Sequence, residues 1–130
     1  MMKTKVEVKT FRDLQVWQKG HALVLEIYKL TQKFPKEERF GLISQLRKSA
    51  SSVPTNIVEG HKRRSTKEYL HFLNMAEGSL EETKYHLILA RDLKSIEDLQ
   101  FEEVCQRCDE IGRMLSGLQR RLLSSFSLTP

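Results

Sequence analysis

Leu14, Trp17, His21, Val24 and Tyr28 follow one another in alternating steps of three and four, the spacing that gathers side chains on one face of an α-helix. The helix is expected to open near Phe11, with Asp13 as its N-cap. Leu23, Ile27, Leu30 and Phe34 form a second stripe beside the first, which makes this helix apolar over more than the face a monomeric bundle requires. The surplus is assigned to an oligomer interface made by Leu23, Ile27, Leu30 and Phe34. Pro35 closes the helix, because proline disfavours helical geometry in the residue before it and has no N–H to donate, and FPKEE reads as the turn.

The next helix is expected over about Glu38–Lys62, with Leu42, Leu46, Val53 and Ile57 in its core stripe and a kink at Pro54. Gly60 and HKRRST mark its end, and Ser65 or Thr66 caps a third helix that carries Glu68 in its first turn. Tyr69, Leu73, Ala76, Leu80, Thr83, Leu87 and Ala90 hold the cleanest register in the chain and carry this helix to about Asp92. In the link LKSIED, Ser95 is the candidate cap of a fourth helix, along which Val104, Cys108, Ile111, Leu115, Leu118 and Leu122 keep the same rhythm. No segment alternates like a strand. The expected fold is all-α, an antiparallel up-down-up-down left-handed four-helix bundle over residues 11–124, between a basic tail at 1–10 and a C-terminal tail at 125–130.

A chain of 130 residues buries a core without staples, and 30 % charged against 39 % hydrophobic residues sets it apart from disordered sequences. No apolar run is long enough to cross a membrane and the first residues lack the apolar core of a secretion signal, so a cytoplasmic protein is expected. Cys105 and Cys108 have no second pair to complete a zinc site, and Cys108 sits on the core stripe, so no metal or cofactor is expected. The net charge of +5 and a pI near 9.3 favour phosphate backbones or acidic protein surfaces as partners.

Two groups of residues exceed what a bundle needs. Gln45, Ser49, Ser52, Asn56 and Glu59 make a polar stripe on the second helix, and Ser79 and Glu82 stand on the third as potential partners. Such a stripe is either a hydrogen-bonded network between helices or a surface for a partner. If it is a network, Asn56→Ala or Glu59→Ala is expected to cost roughly 1–3 kcal/mol. The second group is cationic: Arg47, Lys48, Lys62, Arg63, Arg64 and Lys67, reinforced by Arg120 and Arg121. Enzyme constellations are missing. Glu68 and His71 make one ExxH pair with no second to complete a di-iron site, and no arginine stands five positions before a histidine.

The segments FRDLQVWQKG, GLISQLRKSASSVPTNIVEGHKRRSTKEYLHFLNMAEGSLEE and MLSGL together resemble the four-helix-bundle proteins encoded in intervening sequences of bacterial 23S ribosomal RNA genes. The resemblance covers nearly the whole chain after the tail. Gln45–Arg47, Asn56–Gly60 and Ala76–Ser79 followed by Glu81 carry it, whereas Lys48 and His61 anchor nothing. It implies a homo-oligomer, a pentamer with helices around a central axis. It also implies distant kinship with the accessory variability determinant of diversity-generating retroelements, which binds nucleic acid and a reverse transcriptase.

The expected function is therefore that of a non-enzymatic, oligomeric bundle that binds structured RNA, or DNA, through its basic surface by backbone and shape contacts. The alternative is a scaffold that docks a partner protein on the polar stripe of the second helix.

Overall fold

A computed structural model of the chain describes residues 8–38 and 40–127, with side chains as far as Ser125. Four α-helices, α1 (Gln15–Thr31), α2 (Leu42–Lys62), α3 (Thr66–Asp92) and α4 (Asp98–Ser127), pack in a square in which each touches its neighbours in sequence and α4 returns to α1. There is no strand among the described residues. The links are short, so successive helices run antiparallel. The expected tail from 125 is helical through Ser127, while the expected tail at 1–10 lies outside the described residues up to position 7.

The core is one cluster built from the predicted stripes: Leu42, Leu46, Val53 and Ile57 of α2, Leu73, Ala76, Leu80 and Leu87 of α3, and Val104, Cys108, Ile111 and Leu115 of α4. Each fully buried Leu or Ile contributes roughly 1.5–3 kcal/mol relative to exposure. The contribution of α1 differs from expectation. Leu23, Ile27, Leu30 and Phe34, assigned from the sequence to a subunit interface, are only 0–8 % exposed and form α1's share of the subunit's own core. The neighbouring stripe is the outer one, with Trp17 and Val24 half-buried and His21 and Tyr28 exposed. Both stripes have the same period, so periodicity alone cannot say which of them faces inward.

Local chemistry explains the boundaries. Asp13 does not cap α1; it completes a capping box around the 3-10 turn Phe11–Asp13, in which Thr10 Oγ1 accepts from Arg12 N (3.2 Å) and Asp13 Oδ2 accepts from the backbone N–H of Thr10 (3.1 Å) and Lys9 (2.9 Å). Those two N–H groups hold its carboxyl below the usual aspartate value. A second 3-10 turn, Lys36–Glu38, takes the place of the expected first turn of α2. Ser65 caps α3 by accepting from Glu68 N (3.1 Å). Ser95 caps nothing: its N–H donates to Ala90 O (2.8 Å) while Lys94, at φ 63°, donates to Arg91 O (2.9 Å), which closes α3 in a Schellman motif with lysine where glycine is usual.

Helix α2 runs unbroken through Pro54, whose missing N–H deprives the Ala50 carbonyl of its intrahelical donor. Pro54 is buried opposite Gly20, where α1 comes so near that a Cβ on Gly20 would lie 3.7 Å from Pro54 Cβ and 3.7 Å from Val53 Cγ1. The four seams are unequal. The α2–α3 seam is the most extensively packed and the α1–α4 seam the least. Across α3–α4, Lys84 reaches Asp109 (3.0 Å) while holding Glu81 of its own helix (3.3 Å), and these carboxylates, Asp109 first, raise its pKa. Across α1–α4 the links are the surface pairs Lys19–Glu110 (3.2 Å) and Arg107–Glu26. Burial pushes the Cys108 thiol up to about 12, which makes it an inert core residue, and Cys105 is shifted the same way.

Candidate functional site

The alternating direction of the helices decides which charges meet. The start of α1, the end of α2, the start of α3 and the end of α4 all lie at one end of the bundle, here called the basal end. Arg12, Lys62, Arg64, Lys67, Arg120 and Arg121 stand there or within the last turns before it, exposed, and no carboxylate lies within ion-pair reach of any of them among the described residues. Arg121 lines a groove with Asp13 and Gln18, which places the end of α4 beside the start of α1. Arg120 faces the α3 side, in a hollow that it shares with Glu77 and Arg113.

The sequence cluster is thus divided. Arg63 is partly neutralised: its guanidinium lies 3.2 Å from Glu59 and 4.6 Å over the Phe72 ring. Arg47 belongs to the interior architecture and not to the cationic surface, because its Nε donates to Thr31 Oγ1 (2.8 Å), its Nη2 to Tyr28 O (3.4 Å), and its guanidinium covers the Tyr28 ring at 4.4 Å. It neutralises the C-terminal end of α1, where the last carbonyls lack donors. Lys48 is exposed but stands fourteen positions before Lys62 in α2, about 21 Å away along the helix. Sequence proximity failed here because a helix carries neighbours apart along its axis.

Arg12 was missed as a member of the site. The signal was available in the up-down topology itself, which sends the residues before α1 to the end where α2 stops. An aromatic cluster was missed as well. Trp17 and His21 stack with ring centroids 5.2 Å apart and an interplanar angle of 6°, and Phe11 meets Trp17 edge-on at 5.0 Å and 72°.

The polar stripe divides too. Ser49 is buried and joins two helices: Thr83 Oγ1 donates to Ser49 Oγ (3.0 Å), which also lies 3.3 Å from His86 Nδ1. Thr83 Oγ1 also reaches the Ser79 carbonyl at 2.8 Å. The remaining members reach no other helix. Asn56 Nδ2 donates to Ser52 O (2.8 Å) and Glu59 pairs with Arg63, both within or just beyond α2, while Gln45 and Glu82 are exposed. Asn56 and Glu59 therefore leave no buried partner behind when truncated, and the stability cost expected for them does not apply.

At the opposite, distal end, Asp92, Glu97, Asp98, Glu102 and Glu103 cluster around the α3–α4 turn. Arg91 is held there by Asp92 (3.2 Å) and lies 4.2 Å over the Phe101 ring. Exposed apolar side chains gather in the same half: Leu25, Phe40, Tyr85, Ile88, Leu93 and Leu99, with Phe40 92 % exposed. Among the described residues no three His, Cys, Asp or Glu side chains converge as a metal-ligand set, and no helix is long and apolar enough to cross a membrane.

Comparison with curated proteins finds no match. A crystal structure of a protein of unknown function from Bacteroides thetaiotaomicron, assigned to the S23 ribosomal protein family, superposes with a TM-score of 0.76 at 25 % identity over 81 % of this chain and 95 % of the other. Residues 12–117, which hold the bundle from the capping-box turn to the last buried turns of α4, match the family described as 23S rRNA-intervening sequence protein. With that match spanning most of the chain and the fold agreeing, the chain belongs to the 23S rRNA-intervening sequence protein family.

Proposed function

We propose that the chain is a non-enzymatic binding module whose basal end takes up the phosphate backbone of nucleic acid. The observation that carries this reading is the delivery of Arg12, Lys62, Arg64, Lys67, Arg120 and Arg121 to one end of the bundle, none of them within ion-pair reach of a carboxylate among the described residues. Cations in that state bind phosphates by releasing condensed counterions, so affinity falls steeply as salt rises. The test is fluorescence anisotropy with a labelled RNA hairpin across a salt series. Lys62→Glu, Arg64→Glu and Lys67→Glu together are expected to weaken binding at least tenfold and to flatten the log–log salt dependence by about three phosphate contacts' worth. Arg47→Ala, by contrast, leaves affinity unchanged while lowering the melting temperature. Unchanged RNA affinity in the triple variant sinks the proposal.

A second reading, self-association, draws support from a different observation. Leu25, Tyr85, Ile88 and Leu99 remain exposed on the distal half after α1's inner stripe has been used for the subunit core. Large apolar side chains left exposed on α1, α3 and α4 are surface that contacts with further copies of the chain would bury. The two readings use different ends of the molecule and are compatible.

A further inference from the structure

Resting on the basal-end reading, we infer that Trp17 and His21 form a stacking platform for unpaired bases, so that the ligand is nucleic acid in single-stranded form. The two residues are four apart on α1, which places their rings on one face, and they lie nearly parallel at 5.2 Å with an interplanar angle of 6°. Trp17 is half-buried against the core and further held by the edge of Phe11 at 5.0 Å, so its plane is fixed. Anchoring the capping-box turn accounts for Phe11 and Trp17. It does not account for His21, which is exposed and has no hydrogen-bond or ion-pair partner among the described residues.

The position of the stack connects it with the cations. Gly20 meets Pro54 where α1 crosses α2. One helical turn toward the basal end from that crossing lies Trp17, and about two turns toward it lie the Phe11–Asp13 turn on one side and His61–Lys62 on the other; that turn packs against α2. Arg12 adjoins Phe11 in the chain, and Gln18, one residue after Trp17, donates from Nε2 to Arg12 O (2.7 Å), tying the cation-bearing turn to the helix that carries the rings. A strand whose phosphates run over Arg12 and Lys62 has the ring pair beside it. This is the combination of backbone cations and aromatic faces by which proteins hold single strands without reading sequence. In a duplex the base faces are covered by their neighbours, so the platform gains nothing from paired RNA.

Trp17 is the only tryptophan in the chain, so its intrinsic fluorescence reports on the platform directly. We would titrate the full chain and its His21→Ala variant with oligoadenylate, with an RNA duplex of the same length and with heparin, all at one salt concentration. Oligoadenylate is expected to quench Trp17 and to bind more tightly than the duplex, and His21→Ala to lose roughly tenfold in oligoadenylate affinity with heparin binding intact. If oligoadenylate and duplex bind equally and His21→Ala alters neither, the stacking platform is overturned while the phosphate reading stands. If none of the three polyanions binds, the basal-end reading falls and the platform falls with it.

Discussion

An alanine at Gly60 would put its Cβ 3.0 Å from both Phe72 Cβ and Tyr69 Cδ1 and 3.3 Å from the Tyr69 carbonyl, so α3 would have to move away from α2. An alanine at Gly78 would meet nothing within 4 Å. Both glycines sit inside helices, where glycine costs roughly 0.5–1 kcal/mol relative to alanine through backbone entropy. The two substitutions therefore have opposite signs. Gly78→Ala is expected to stabilise the subunit by about 0.5–1 kcal/mol, and Gly60→Ala to destabilise it by about 1–2 kcal/mol because the overlap involves atoms fixed to backbone. Urea unfolding of the two variants checks this, and a gain at Gly60 would mean that the α2–α3 approach is looser than described. The sequence offers no way to separate these residues, since the difference lies in what the neighbouring helix presents. Arg47 was misread for the same reason: its partners Thr31 and Tyr28 are sixteen and nineteen positions away and are met only through packing.

Among the helices, α3 was the most legible, because Leu73, Ala76, Leu80, Thr83, Leu87 and Ala90 are all buried as its register requires. In α1 two apolar stripes left the inward direction open, and in the α3–α4 link Ser95 was read as a cap where the chain instead turns through the left-handed Lys94. The Ser49–Thr83–His86 contacts reinforce the α2–α3 seam, whereas grooves run along α1–α4 in both its basal and distal halves, bridged by ion pairs on the surface. Exposed pairs of that kind contribute about 0–1 kcal/mol. Helix α1 is therefore held chiefly by α2, across Gly20 and Pro54. Hydrogen exchange is expected to show α1 amides opening at lower free energy than those in the middle of α2 and α3. Equal protection of all four helices would contradict this ranking of the seams.

At the scale of the molecule, the cations that lack a carboxylate partner at the helix ends 12, 62–67 and 120–121 converge on the basal end, while exposed Leu, Ile, Phe and Tyr side chains concentrate in the distal half. That separation makes the two proposed associations independently testable by light scattering. Self-association through distal apolar side chains is expected to persist in high salt and to be lost on Leu25→Asp with Tyr85→Asp, while the basal triple variant still assembles. Assembly abolished by the basal variant and by salt would place the contact among the cations. The polar and apolar pattern made the architecture legible. The grouping of charges needed the additional step of following each helix to its end, which a count of nearby lysines and arginines does not take.

The location of those cations on an end and not along a side also fixes a footprint. Helices about 10 Å across, packed two by two, present an end roughly 20 Å wide, which along a duplex with one phosphate per about 3.4 Å of each strand spans some six base pairs, and along a more extended single strand fewer nucleotides. A bundle of this length lying on its flank would cover about twice as many. Saturating a long polynucleotide should therefore load it at close spacing, with the bundles standing off the strand side by side and their distal halves brought within reach of one another.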